Sequence, residues 1–276
     1  MSIVDGRQIA NGILERLKIQ VAKLGRTPKL AVVLVGDDKP SQTYVRNKQQ
    51  AAAAVGIEFL LYKFPSKIKE AALIRAVRAI QKQKLDGIIV QLPLPAGLDK
   101  KLILNELDPN LDVDCLSWVS LGKLVIRDNS LVPPSPGAVL EILKVHKVAL
   151  KGKHIVLVGQ GDLIGKPLAN ILMHMPVTVT TCNKDTKNLR EITKQADILI
   201  SGTGRAGLIR ADMIRPGAAV IDAGVSFVGG HMRGDVDFLP VSKKASLITP
   251  VPGGVGPVTV AKLLENTVKI AKEKNK

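Results

Sequence analysis

The segment HIVLVGQGDLIGKPLANILM, residues 154–173, restricts the fold more than any other part of the chain. A short apolar run of strand length meets three glycines, Gly159, Gly161 and Gly165, in a G-x-G-x-x-x-G spacing, and a helical pattern follows at once. Absent side chains let such a backbone approach a pyrophosphate, and the unpaired N–H groups at the helix start favour its charge. A tight turn that needs glycine only for packing is the competing reading. The strand before and the helix after favour dinucleotide binding over it.

Downstream, TVTTCN, DILISGTG and AAVIDAGV recur at α/β spacing, so this half of the chain is expected to be Rossmann-like. The end of the second strand of such a unit meets the adenosine ribose, and here it carries Asn183, Lys184 and Asp185. Lys184 suits a 2'-phosphate and Asp185 a 2'-hydroxyl, while a solvated turn of mixed charge needs neither. The reading adopted is NADP, with NAD as the alternative.

Upstream, KLAVVLVGDD (residues 29–38) reads as a buried parallel strand. A helix follows, with Ser41 near its start and Gly56 at its end, then IEFLLYKF as a strand, EAALIRAVRAIQKQ as a helix, DGIIVQLPLP as a strand and KLILNEL as a short helix. The proline, serine and glycine cluster SLVPPSPGA, residues 130–138, ends this section ahead of a helix AVLEILKVHKV. The expected architecture is α/β in two domains: an N-terminal α/β catalytic domain (1–145 and 253–276) and a Rossmann-like dinucleotide-binding domain (146–252), with the C-terminal helix returning to the first.

Composition narrows the partners. Forty Lys and Arg against 24 Asp and Glu give a formal charge of +16, which suits anionic ligands. Those cations are scattered, and aromatics at 3% offer little for stacking bases, so nucleic acid is not expected as a partner. Cys115 and Cys182 lie far apart with no metal-ligand spacing, so free thiols and no metal site are expected. The opening MSIVDGRQIANGILERLKIQ reads as an amphipathic helix rather than a signal peptide, and no apolar run spans a bilayer. A cytoplasmic protein is expected.

Ser41, Tyr44 and Lys48 share one helix face, followed by four alanines that allow close approach to a sheet. A lysine so placed loses solvent and carries protons near neutrality, but spacing alone favours an exposed lysine beside a half-buried tyrosine. Gln91 falls at the carboxyl end of a strand, where open α/β sheets bind ligands. Asp112 and Asp114 alternate and are expected to face the same way, and PVPGGVGPVT, residues 250–259, is a loop ahead of the last helix.

Taken in order, VDGRQIA, the Ser-x-x-Tyr-x-x-x-Lys helix ending in VGI, DGIIVQLPLP, DVD, VPPSP, GKHIVLVG with IGKP, VIDAGV, GDVDF and ITPVPGGVGPVTVAKLLENT make the chain similar to the bifunctional methylenetetrahydrofolate dehydrogenase/cyclohydrolase family over nearly its whole length. The resemblance implies tetrahydrofolate substrates, NADP, a homodimer formed through the second domain, and a place in one-carbon metabolism and purine biosynthesis. It implies that Lys48 is the catalytic lysine, that Tyr44 stacks on or hydrogen-bonds the folate, that Gln91 tunes the lysine and the attacking water, and that Asp114 holds the pterin. Val90 and Leu92 flank Gln91 in the substrate site, and Pro252, Gly253, Gly254, Val255 and Gly256 match a loop that closes over the folate and nicotinamide. Gly159, Gln160, Gly161, Gly165, Lys184 and Val225 fall at cofactor positions.

The chain departs from the family pattern in several places. Gln160 and Gly161 stand where an Arg and a Ser are usual, Lys184 where a Ser is usual, Cys115 where Gly is common, and Pro134 and Ser135 where Cys-Thr is common. Lys184 is positioned to replace the charge missing at Gln160. Cysteine is poorer than glycine at left-handed backbone angles, so the path around Asp114 is expected to differ. A monofunctional NAD-dependent relative is the near alternative, and a basic nucleic-acid-binding protein on a Rossmann scaffold the distant one.

Overall fold

The six apolar residues that end the strand Lys29–Val35 are all buried in the computed structural model, as a strand covered on both faces requires. The structure describes residues 1–128 and 131–275, so Ser130, the first residue of the proline-rich cluster, lies outside the described residues. In chain order the elements are β1 (Ser2–Ile3), α1 (Gly6–Ala22), β2 (Lys29–Val35), α2 (Lys39–Val55), β3 (Glu58–Phe64), α3 (Glu70–Gln81), β4 (Gly87–Val90), α4 (Lys100–Asn105), α5 (Trp118–Val125) and α6 (Pro134–Val145). Then come β5 (His154–Val158), α7 (Gly165–Met173), β6 (Thr178–Cys182), α8 (Leu189–Thr193), β7 (Ile198–Ser201), β8 (Ala219–Asp222), β9 (Ser226–Val228), β10 (His231–Arg233), α9 (Phe238–Ser242), β11 (Leu247–Ile248) and α10 (Val255–Glu273).

The chain separates into two units, one of residues 11–134 with 260 onward, the other of residues 1–10 with 135–259. In the first, β3, β2 and β4 form a parallel sheet in that order. Its core includes Val33, Leu73, Val77, Ile88, Val90 and Ile103. From residue 260 onward α10 belongs here, as expected of a returning helix. Asn266 donates to the carbonyls of Val113 (2.9 Å) and Val132 (2.8 Å), and Arg26 reaches Asp86 (2.7 Å) and the Ala271 carbonyl (3.1 Å).

The second unit is a six-stranded parallel sheet in the order β1-β11-β8-β7-β5-β6. The strand order reverses at β5, which has β6 on one side and β7 on the other, and the crevice at such a reversal is where open α/β sheets take ligands. Residues 1–10 sort with this unit because Ser2–Ile3 pairs with Leu247–Ile248 and Gly6 donates to the Gly253 carbonyl at 2.9 Å. β9 and β10 form a hairpin through Gly229 and Gly230, both at positive φ, which a two-residue turn of this hand demands.

Three local readings change. The cap of α2 is Asp38, not Ser41: its carboxylate accepts from the Ser41 N–H (2.9 Å) and hydroxyl (2.7 Å), while Gly56 ends the helix at φ 82° as expected. Of the four alanines, Ala52 is fully buried and Ala53 and Ala54 are exposed, so the helix lays a narrow stripe rather than the whole run against the sheet. α6 begins at Pro134, inside the expected loop, because proline's fixed φ and missing N–H suit a first helical turn.

Candidate active site

In the first unit, α2 and the carboxyl end of β4 converge on Lys48. Tyr44 lies one turn before it on the same face. The Gln91 N–H extends the sheet ladder by donating to the Val33 carbonyl at 2.8 Å, which fixes the side chain at the strand end. Its Oε1 accepts from Lys48 Nζ at 2.8 Å and its Nε2 donates to the Leu92 carbonyl at 2.7 Å. With both ends of the amide engaged, the carbonyl is committed to the lysine.

Charge effects in this site follow from burial. Loss of solvent lowers the Lys48 pKa below its ordinary value, and the Asp114 carboxylate opposes that shift. Burial likewise raises Asp114, with Lys48 opposing and Asp112 adding to the rise. Tyr44 is half-buried and its hydroxyl is raised, so it stays a neutral phenol. The site therefore holds a lysine part-buried rather than exposed, with a carboxylate within electrostatic reach.

Other predicted residues take different places. Asp112 is fully buried and accepts from the N–H groups of Leu116 (3.2 Å) and Ser117 (2.8 Å), so it braces the following turn instead of facing outward with Asp114. Cys115 adopts φ 57°, so this turn is left-handed even without glycine, at a cost of about 1–2 kcal/mol. The Val90 side chain lies in the core, which leaves only its backbone for a ligand, and Leu92 packs against that core. Asp38, which fixes the first turn of α2, is absent from the residues singled out in the sequence, although its place before Lys39-Pro40 signals it.

If neutral Lys48 is the base for the hydrolytic step, kcat for that step rises with pH along a limb whose midpoint lies below the usual lysine range, because the folded site disfavours the ammonium. Asp114→Asn removes the charge that holds the pKa up, so the limb is expected to move to still lower pH. A pH profile of kcat for both proteins checks this.

In the second unit the glycines divide by role. Gly159 has φ 107°, and a Cβ there stands 2.6 Å from the Gly202 carbonyl oxygen; a Cβ on Gly165 stands 2.0 Å from the Gly159 carbonyl oxygen. Gly161 faces open space, in keeping with a side chain being usual there in the family pattern. Gln160 donates to the Thr181 hydroxyl (3.1 Å) and accepts from Asn183 (3.3 Å), tying the turn to the end of β6. Lys184 is exposed on the next turn, Val225 is 39% exposed beyond β8, and Asp185 is exposed beside Lys184. A bare backbone cradle at a helix start, with a cation at the ribose end, fits a phosphorylated dinucleotide.

Pro252, Gly253, Gly254, Val255 and Gly256 lie in the second unit. Gly253 has φ 102°, a Cβ on Gly254 meets the Pro250 carbonyl oxygen at 2.5 Å, and Val255 opens α10. Among the described residues no group of three or more His, Cys, Asp or Glu is arranged to hold a metal, and no helix is long and apolar enough to cross a membrane.

A Rossmann-type sheet with a glycine cradle, joined in one chain to an α/β unit holding a desolvated lysine, defines a dinucleotide-dependent enzyme class. Comparison with known proteins makes this specific. Residues 4–114 match the catalytic domain, and residues 133–275 the NAD(P)-binding domain, of tetrahydrofolate dehydrogenase/cyclohydrolase, and the chain belongs to that family. The bifunctional protein FolD of Hydrogenobaculum sp. (strain Y04AAS1) is 45% identical over 277 residues, covering 99% of this chain and 100% of its own. The crystal structure of the bifunctional FolD methylenetetrahydrofolate dehydrogenase/cyclohydrolase from Campylobacter jejuni matches with a TM-score of 0.96 and 40% identity over 99% of both chains. The Trypanosoma brucei enzyme, complexed with NADP cofactor and inhibitor, matches with a TM-score of 0.95 and 39% identity over 99% of this chain and 98% of its own.

Proposed function

We propose that the protein oxidises 5,10-methylenetetrahydrofolate to 5,10-methenyltetrahydrofolate with NADP and hydrolyses the product to 10-formyltetrahydrofolate. The observation that carries this is the Lys48–Gln91 hydrogen bond at the carboxyl end of a parallel strand, with Asp114 in electrostatic reach, in a family whose model names both activities. Bound NADP supplies the hydride acceptor. The Gly159 and Gly165 turn would hold its pyrophosphate, and Lys184 would pair with its 2'-phosphate.

Asp114 accepts N–H groups of the pterin and fixes the ring, while Tyr44 covers it. In the hydrolytic step, water adds to the methenyl carbon and neutral Lys48 takes a proton from it. Gln91 holds the amine against that water. That proton passes to the ring nitrogen as its bond to carbon breaks, the hydroxyl proton of the adduct leaves as its oxygen becomes the formyl carbonyl, and the formyl group stays on the other nitrogen, so the reaction releases one proton overall. Orientation supplies most of the rate, since the cationic substrate is already electrophilic. Val90, Leu92 and the Pro252–Gly256 turn are assigned to substrate binding on the family pattern.

The finer assignments are a homodimer in the cytoplasm, supplying formyl groups for purine biosynthesis. The resemblance supports the dimer and the pathway; both cysteines are free thiols and buried, in keeping with a reducing compartment. The charge of +16 is read as serving glutamate-bearing folates and a phosphorylated dinucleotide rather than nucleic acid. The second reading, a monofunctional NAD-dependent dehydrogenase, draws on Asp185 beside Lys184 and on the missing cation at Gln160.

Lys184 decides between the two dinucleotides. Lys184→Ala is expected to raise KM for NADP by about tenfold or more, the weight of a charge-assisted hydrogen bond, and to leave KM for NAD nearly unchanged. Steady-state kinetics with each dinucleotide tests it; equal effects on both remove Lys184 from the 2'-phosphate.

A further inference from the structure

Asp222 and Asp235 sit in two family segments, VIDAGV and GDVDF, yet neither takes part in the chemistry above. Both are buried, at 2% and 0% exposure. Asp222 Oδ1 accepts from the N–H groups of Gly224 (3.1 Å) and Asp235 (3.1 Å), and Oδ2 from that of Val236 (2.9 Å). Asp235 Oδ2 accepts from the Ser201 hydroxyl (2.7 Å) and the Thr203 N–H (2.6 Å), while its Oδ1 is buried without a hydrogen-bond partner among the described residues. Burial, with the neighbouring Asp235 charge adding to it, raises the Asp222 carboxyl to about 6 even against its three backbone donors.

The two acids interlock. A Cβ on Gly224 stands 2.1 Å from the Asp235 carboxyl carbon, and a Cβ on Gly234 stands 2.0 Å from Asp222 Oδ2. Neither glycine has a left-handed φ, so each is required by the opposing carboxylate and not by its own backbone angle. Gly224 follows Asp222 by two residues and Gly234 immediately precedes Asp235. Each acid therefore fills the space left by the glycine beside the other.

What the interlock joins is the carboxyl edge of the sheet. Through Ser201 and Thr203, Asp235 holds the loop after β7, and that loop meets the glycine turn: the missing Gly159 Cβ lies 2.6 Å from the Gly202 carbonyl oxygen and 3.3 Å from Thr203 Cγ2. Through Gly224, Asp222 holds the loop after β8 that carries Val225, whose carbonyl oxygen is 3.6 Å from the missing Cβ of Gly204.

We propose that Asp222 and Asp235 are positioning residues for the dinucleotide, their interlock setting the gap between loops 201–204 and 222–225. The proposal rests on reading this edge as the dinucleotide site. Neither acid touches the cofactor; they act through Thr203, Gly159 and Val225.

The test compares Asp235→Ala, Asp235→Asn and Ser201→Ala with the wild-type chain in two assays: dinucleotide-dependent oxidation, and hydrolysis of added methenyltetrahydrofolate, which transfers no hydride and serves as an internal control. Asp235→Ala is expected to raise the dinucleotide KM by about tenfold or more, since it unpairs two donors, while methenyl hydrolysis stays within about twofold. Asp235→Asn keeps the shape and the Oδ2 acceptor and exchanges one unpartnered atom for another, so its KM is expected within about threefold of wild type. Ser201→Ala, which removes a single hydroxyl, is expected to raise it about threefold to tenfold, and decides the matter if Asp235→Ala does not fold. Parallel loss of both activities would reduce the pair to a merely structural role and overturn the proposal, as would an unchanged dinucleotide KM in Asp235→Ala or Ser201→Ala. Absence of any dinucleotide-dependent reduction by the wild-type chain would instead defeat the reading of the dinucleotide site.

Discussion

Replacing Lys48 by Met is expected to lower methenyltetrahydrofolate hydrolysis by about 10²- to 10⁴-fold, the usual weight of a positioned acid–base group, while folate affinity falls far less. Methionine matches the length and apolar stem of lysine, so the packing of α2 survives. What it removes is the amine that Gln91 holds at 2.8 Å and whose pKa burial has lowered. It also leaves Asp114 without the charge that opposes its protonation, so the variant's Asp114 shifts further toward the neutral acid and pterin binding weakens modestly. Folate binding by fluorescence, set beside the hydrolysis rate, separates the two effects. Equal losses in binding and in rate would remove Lys48 from the proton transfer and leave it as a binding residue.

Gly159→Ala is expected to raise the dinucleotide KM by about 100-fold or more. An alanine at φ 107° is strained by about 1–3 kcal/mol, and its methyl carbon stands 2.6 Å from the Gly202 carbonyl oxygen, which belongs to backbone and cannot swing aside. The turn must open, which displaces the N–H groups proposed to face the pyrophosphate. Gly165→Ala is expected to be as damaging, at 2.0 Å from the Gly159 carbonyl oxygen. Gly161→Ser, with open space around it, is expected to be tolerated and to add a phosphate donor. Dinucleotide titrations of the three variants check the ranking. Equal damage at Gly159 and Gly161 would mean that the turn is not the cradle described.

The parts of this molecule that were legible in the sequence are those whose cause is local. The strand, turn and helix around Gly159 announce themselves because glycines are needed where backbone meets backbone, and Gly56 marks a helix end because only a left-handed residue closes it cheaply. Cap identity was legible only through Pro40: Asp38 and Ser41 are both residue types that cap helices, and a proline in the first turn marks Asp38 as the one that precedes it. Trp118–Val125 was missed because Trp118, Val119 and Val125 are exposed while Ser120 is buried, so in so short a segment the apolar pattern does not mark the buried face. Ser2–Ile3 was missed because a two-residue strand has no pattern at all; its pairing with Leu247–Ile248 is set by tertiary packing.

In the candidate site the same division holds. Tyr44 and Lys48 share a face by periodicity alone, but the lysine's burial and its bond to Gln91 join residues 43 apart in sequence, which only the family resemblance foretold. The alternation of Asp112 and Asp114 gave the wrong picture because period-two reasoning assumes a strand, and this segment is a turn that consumes Asp112 in its own backbone bonds. The same limit hid Asp222 and Asp235, whose significance lies in glycines 12 and 11 residues away from the acids they accommodate (Gly234 for Asp222, Gly224 for Asp235) and not in any local motif.

The most direct measurement mixes the purified protein with 5,10-methylenetetrahydrofolate and either NADP or NAD, and follows the absorbance of reduced nicotinamide and of the methenyl intermediate together. Two active steps on one chain, with NADP as the cofactor, predict reduction of NADP with little accumulation of methenyl. Reduction with NAD alone, or methenyl building up and decaying no faster than in buffer, would contradict the account.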